Sequence, residues 1–249
     1  MEPRNRRWLA ILVVVLVLGM GLVTAVGRIA AVPLVLVLML VASAGVDIIM
    51  RGAARYRPTL DRFLLPNLLI VAAALFLRLL PAGAVVVAGL AIFAGVFYLA
   101  VWAEHNDRHG GRDRRWSTLA LLIVGYLVVF ALYAAIYQMK TRTLFNAPAV
   151  VVATFLVAGR LLSLHHEDVP FQRLASYASF VALSVGQVTW ALNYWPLNGL
   201  FGGVFLLTVC YFLVQVLSEH LSDRLTPRAL SEHGLISLAA VALILWRGL

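Results

Sequence analysis

The chain has 249 residues, 63% of them hydrophobic and 12% charged, with a mean hydropathy of +0.94. One water-soluble core of this length cannot bury so much apolar surface, which excludes a soluble globular domain. The net charge of +9 and isoelectric point near 10.4 would suit nucleic acid, but the basic residues are scattered over short loops, and that partner is excluded too.

In chain order, apolar runs over 8–26, 30–50, 63–80, 84–103, 118–138, 149–164, 174–195, 197–217 and 232–247 predict nine membrane spans. About 20 apolar residues cross a hydrocarbon core of roughly 30 Å. Backbone polar groups in lipid must be satisfied internally, and runs without alternation select helices over a barrel. The expected fold is therefore an all-α, polytopic transmembrane helical bundle in the lipid bilayer. For the first run a cleaved signal peptide is the alternative, since arginines precede it and small residues follow. The length of the run argues against cleavage, as does its internal counterpart.

With the N-terminus inside, the cytoplasmic ends and loops hold Arg4, Arg6, Arg7, Arg51, Arg55, Arg57, Arg62, Arg108, Arg112, Arg114, Arg115, Arg160, Arg173, Arg224 and Arg228. Only Arg28, Arg78, Lys140, Arg142 and Arg247 fall opposite. Fifteen against five is the positive-inside pattern, which places the chain in the cytoplasmic (inner) membrane with its N-terminus inside and its C-terminus outside.

The hydrophilic seam from Trp102 to Trp116, WAEHNDRHGGRDRRW, carries two words found elsewhere. Arg112-Asp113-Arg114-Arg115-Trp116 echoes Arg4-Asn5-Arg6-Arg7-Trp8 at an offset of 108, and Glu104-His105 echoes Glu219-His220 at an offset of 115. The offset of 115 also aligns Pro33 with Pro148 and Pro81 with Pro196. These matches predict two four-helix repeats, 4–108 and 112–224, and an extra helix over 229–249, all in one membrane domain. Four helices per unit makes the repeat parallel, with its axis along the membrane normal.

All eleven acidic residues and all six histidines fall on the cytoplasmic side of this plan. Short outer loops alone would produce that. If the repeat axis holds, Glu104, His105, Glu219 and His220 face the cytoplasmic mouth from equivalent positions and could bind a divalent metal or move protons. As residues at helix ends they could equally be solvated. His165-His166-Glu167-Asp168 lacks metal-ligand spacing and reads as a polar loop; no metal site and no cofactor is assigned. The seventh span is the most polar. Ser176, Ser179, Leu183, Gln187, Trp190 and Tyr194 form one stripe on it, Asn193 lies near its end, and Gln215 shares a face with Glu219 on the eighth. A cavity lined by these groups competes with ordinary interhelical hydrogen bonding. Gly199 with Gly203, and Ala91 with Gly95, read as close-packing pairs. Cys210 reads as a small packing residue.

The helix plan resembles that of UbiA-type prenyltransferases, in which Asp-rich motifs after helices 2 and 6 hold magnesium against a prenyl diphosphate. The first position here is Val46-Asp47-Ile48-Ile49-Met50-Arg51 in place of Asn-Asp-x-x-Asp, and the second offers only Glu167-Asp168. The resemblance thus extends to architecture and not to the diphosphate chemistry.

Three functions fit. The first is a non-catalytic subunit or lipid-binding scaffold of a membrane complex, with membrane-protein partners or a second copy. The second is an enzyme acting on an amphipathic lipid or prenyl substrate through Asp47, Glu104, His105, Glu219 and His220. The third is a small-solute transporter using Gln187, Asn193 and Gln215. Asp47 and Arg160 occupy nearly equivalent places near the ends of spans two and six, and a charge there seeks a partner; Arg51 is an ordinary same-helix partner for Asp47. If Asp47 and Arg160 pair across the repeats, Asp47→Asn lowers thermal stability in detergent and exchanging the two charges restores part of it. No recovery in the exchanged variant would sink the pairing.

Overall fold

A computed structural model describes residues 3–50, 61–109, 114–139, 143–166, 169–195, 198–222 and 226–248. Among the described residues all regular structure is helical: α1 (Pro3–Ala25), α2 (Arg28–Met50), α3 (Asp61–Leu77), α4 (Ala84–His109), α5 (Arg114–Gln138), α6 (Thr143–His165), α7 (Phe171–Leu192), α8 (Gly199–Leu221) and α9 (Pro227–Gly248). Six of the nine, α1, α2, α4, α5, α6 and α8, are both long and apolar enough to cross a membrane. The apolar stretches of α3 and α9 are shorter, Phe63–Leu77 and Leu230–Leu243, and α7 falls outside the six because it is more polar. The protein is a multi-pass membrane protein whose apolar helices sit in a lipid bilayer.

Helix ends differ from the apolar runs that announce them. α4 continues to His109 instead of stopping at 103, so Glu104, His105 and Asp107 are helical. The hydrogen-bonded ladder does not stop where apolarity does. α6 starts at Thr143, because Pro148 lies inside it as its sixth residue. In the second turn proline forgoes one backbone hydrogen bond, to the carbonyl four residues back, and the rest of the ladder continues. Pro33 is likewise the sixth residue of α2.

The chain divides into two compact units, Met1–Val128 and Val129–Leu249, and the division falls within α5. In the first unit α1 packs against α2, α3 and α4, and α3 also packs against α2 and α4. Leu12 fills the space beside Gly45, and Leu38 the space beside Gly19, so that α1 and α2 interlock. The buried core includes Leu9, Leu16, Met20, Val46, Ile49, Ile70 and Phe97. Asn67 donates from α3 to the Ser43 hydroxyl of α2 at 2.9 Å. The turn into α4 passes through Gly83 at φ +105°, a left-handed conformation that favours glycine.

In the second unit α6 and α7 share the most extensive packing, while α8 contacts α6, α7 and α9. Lipid tails are as apolar as leucine, so close approach through small residues replaces the hydrophobic drive. On α7, Ala178, Ala182 and Gly186 are buried at four-residue spacing. Gly186 faces Val151 of α6, and a side chain there would collide with it. The Gly199/Gly203 pair does mark a close approach: a Cβ on Gly203 would lie 2.9 Å from the Ala134 backbone of α5. Ala91 and Gly95 do not. Both are exposed on α4, and a Cβ on Gly95 would meet nothing within 4 Å. Cys210 is fully buried.

Arg78, just past α3, donates to the carbonyls of Val23 and Val26 at 3.0 and 2.8 Å. These belong to the end of α1, whose last carbonyls have no helical donor, and a cation there also opposes the helix dipole. We expect Arg78→Ala to lower stability by about 1–3 kcal/mol, the usual worth of charge-assisted hydrogen bonds. Thermal unfolding in detergent measures it, with Arg78→Lys expected to retain part of the loss. Equal stability of Arg78→Ala and wild type would remove this capping role.

Candidate functional site

Polar side chains gather where helices end. In the first unit the last turns of α4 meet the first turns of α5. Thr118 donates to Asp107 Oδ1 at 3.2 Å, and Arg114 Nε lies 3.7 Å from the same oxygen. One turn earlier, Glu104 and His105 are 2% and 4% exposed. A polar group so deep in an apolar bundle is costly unless it is paired, and both residues interact with neighbours.

The second unit places the same word differently. Glu219 is half-buried and His220 exposed at the end of α8. The His220 ring meets Tyr177 of α7 edge-on, centroids 6.2 Å apart. Beside it, His166 Nε2 lies 3.3 Å from Ser218 Oγ. The ends of α6 and α8 and the first turns of α7 thus form one polar cluster. Gln215 is half-buried one turn further into α8. Glu167 and Asp168 lie outside the described residues, as does Arg51. No group of three or more His, Cys, Asp or Glu side chains that could hold a metal ion is found among the described residues.

Asp47 is half-buried on α2 in the first unit. Arg160 is half-buried on α6 in the second, where its Nη1 lies 3.3 Å from Ser163 Oγ.

The stripe on α7 faces outward. Ser176, Leu183, Gln187, Trp190 and Tyr194 are exposed, Trp190 by 54% and Tyr194 by 82%, and Ser179 is half-buried. The buried ridge is the opposite one. Small residues let α7 approach α6, so the bulkier polar stripe points away.

Several polar contacts were not legible in the sequence. Tyr133 of α5 donates to Thr154 of α6 at 2.6 Å, and Thr154 passes its own proton to the Val150 carbonyl. One turn further along α5, Tyr137 donates to the Leu192 and Trp195 carbonyls, and Gln138 Oε1 accepts the Gly199 N–H at 3.0 Å, capping α8. Tyr211 OH lies 3.2 Å from His233 Nδ1, tying α9 to α8. On α1, Arg4, Arg7, Trp8 and Ile11 line an open groove of about 480 Å³. Each depends on which helices become neighbours, which spacing along one helix does not report.

The two Glu-His words predict unequal variants. Glu104→Gln should cost about 1–3 kcal/mol, because a buried polar group whose pairing is disturbed bears its desolvation penalty. Glu219→Gln, half-exposed, should stay within about 0.5 kcal/mol of wild type. Parallel unfolding curves check this, and equal losses would contradict the difference in burial.

Comparison with curated proteins and with solved structures gives no match. The model of one family, described as a protein of unknown function (DUF5656), matches residues 10–247. That match runs from within α1 to within α9, and the chain belongs to this family.

Proposed function

We propose that the chain is a non-catalytic scaffold subunit of a membrane assembly, joined through the outer face of α7 to the same face of a second copy. The observation that carries this reading is Gln187, exposed on the outside of α7 with Ser176, Trp190 and Tyr194 on the same stripe. An amide facing hydrocarbon without a hydrogen-bond partner is costly. Glutamine both donates and accepts, so two copies related by a twofold axis satisfy each other with one residue type. Such contacts contribute about 0.6–2 kcal/mol each in a membrane, and the flanking aromatics add contact area.

The same reading includes the cytoplasmic membrane, an N-in and C-out orientation, and a tandem 4+4+1 plan. The arginine distribution supports the orientation. The equal length of α2 and α6, each with proline as its sixth residue, supports the repeat.

A second reading, favoured by the burial of Glu104 and His105, is an enzyme acting on an amphipathic lipid with these two as acid and base. It requires Glu104→Gln to abolish the cellular role while leaving the fold intact, whereas the scaffold tolerates that change once folded.

Single cysteines at Leu183, Gln187 and Trp190, in a Cys210→Ala background, test the assembly by oxidative cross-linking in native membranes. We expect homodimers from these three positions and none from a cysteine at Leu40, an exposed aliphatic position on α2. No dimer from α7, or an equally strong one from Leu40, overturns the proposal.

A further inference from the structure

We infer that Arg4, Arg7 and Trp8 form a headgroup site for an anionic phospholipid on α1, and that the exposed side chains below them receive one of its acyl chains. At 100° per residue, Arg4, Arg7, Trp8, Ile11, Val15 and Leu18 share one face of the helix. The groove at its top is lined by the first four of these. Below it, Ile11, Val15 and Leu18 are 54%, 45% and 67% exposed, and Leu22, one turn on, 57%. From Ile11 to Leu22 the stripe runs about 16 Å, close to half a hydrocarbon core of roughly 30 Å. Its dimensions are those of a single acyl chain.

The chemistry at the top fits a phosphodiester. Guanidinium forks match phosphate oxygens in pairs, and indole rings settle at headgroup level. Neither Arg4 nor Arg7 makes an ion pair or a hydrogen bond among the described residues. Both arginines line the groove. The groups concerned are side chains, and the site does not depend on the dipole of the helix.

Arg6 provides an internal control, because it projects from the opposite side of α1, about 160° from Arg4 and Trp8 and about 140° from Ile11 by the same helical geometry. The word on α5 repeats the arrangement within the same unit. Arg115 and Trp116 are exposed there, and Leu119 and Ile123 follow at 41% and 57% exposure, at the same spacing as Arg7, Trp8, Ile11 and Val15. Arg114, which corresponds to Arg6, is turned to Asp107. In both places the second arginine of the triplet lies off the stripe and the third lies on it, which random basic decoration of a membrane surface would not produce twice.

The site is independent of assembly through α7, and its test does not use the oligomeric state. Full-length protein in mild detergent, with Arg115→Gln in the background so that α1 is read alone, is titrated with phosphatidylglycerol or phosphatidylcholine. Bound lipid is counted by native mass spectrometry. We expect preferential retention of phosphatidylglycerol, weakened about fivefold by Arg7→Gln and about 25-fold by Arg4→Gln with Arg7→Gln, at the usual strength of one arginine near an anionic surface. Arg6→Gln should leave retention unchanged, and inorganic phosphate should not displace the lipid. Equal retention of the two lipids, equal weakening by Arg6→Gln, or displacement by phosphate alone would each overturn the site.

Discussion

Hydrocarbon offers no hydrogen bonds, and this constraint organises the molecule more than any single contact. Within a helix the backbone satisfies itself, so the difficulty moves to the ends and to side chains inside the bundle. The protein answers with long polar side chains sent from neighbouring helices. Arg78 reaches back to the open carbonyls of α1, Tyr137 reaches the end of α7, and Gln138 accepts the first N–H of α8. Each of these bonds also fixes which helix lies beside which. The polar groups therefore specify neighbours in a bundle whose apolar surfaces are nearly interchangeable.

Packing supplies the rest. Helices in lipid gain by approaching closely, and closeness requires small residues on the facing ridge. Gly203 against the Ala134 backbone, and Gly186 against Val151, are such places. The exposed pair Ala91 and Gly95 shows that spacing alone does not create an interface. A small ridge needs a neighbour shaped to enter it.

This explains what the sequence could and could not show. The nine helices of the described residues were legible because runs such as 8–26 and 84–103 are too long and too apolar for anything else. Their ends were less so, since α4 keeps its ladder through Glu104, His105 and Asp107 after the apolar run has finished. The orientation of α7 was hidden for a deeper reason. Spacing distinguishes a polar from an apolar face but not which one meets a neighbour; the buried face carries Leu174, Ala178, Val181, Ala182, Val185 and Gly186, and the polar stripe of Gln187 turns outward. Identical words likewise meet different surroundings. Glu104-His105 is buried and Glu219-His220 is not, because burial is a property of the helices around a word. His166, from the polar loop after α6, likewise meets Ser218 of another helix.

The outer surface can be divided by what each part asks of its surroundings. α2 exposes Ile29, Val32, Leu36 and Leu40, and acyl chains solvate such residues as well as another protein would. α1 and α5 expose similar stripes but end them in arginine and tryptophan, which lipid also solvates, provided its headgroups carry negative charge. α7 is different. Gln187 and Trp190 expose an amide and an indole N–H that hydrocarbon cannot pair, whereas Ser176 already donates to the Gln172 carbonyl at 2.9 Å. One rule of solvation thus separates the stripes of α1 and α5, which end in arginine and tryptophan, from that of α7, which carries an amide.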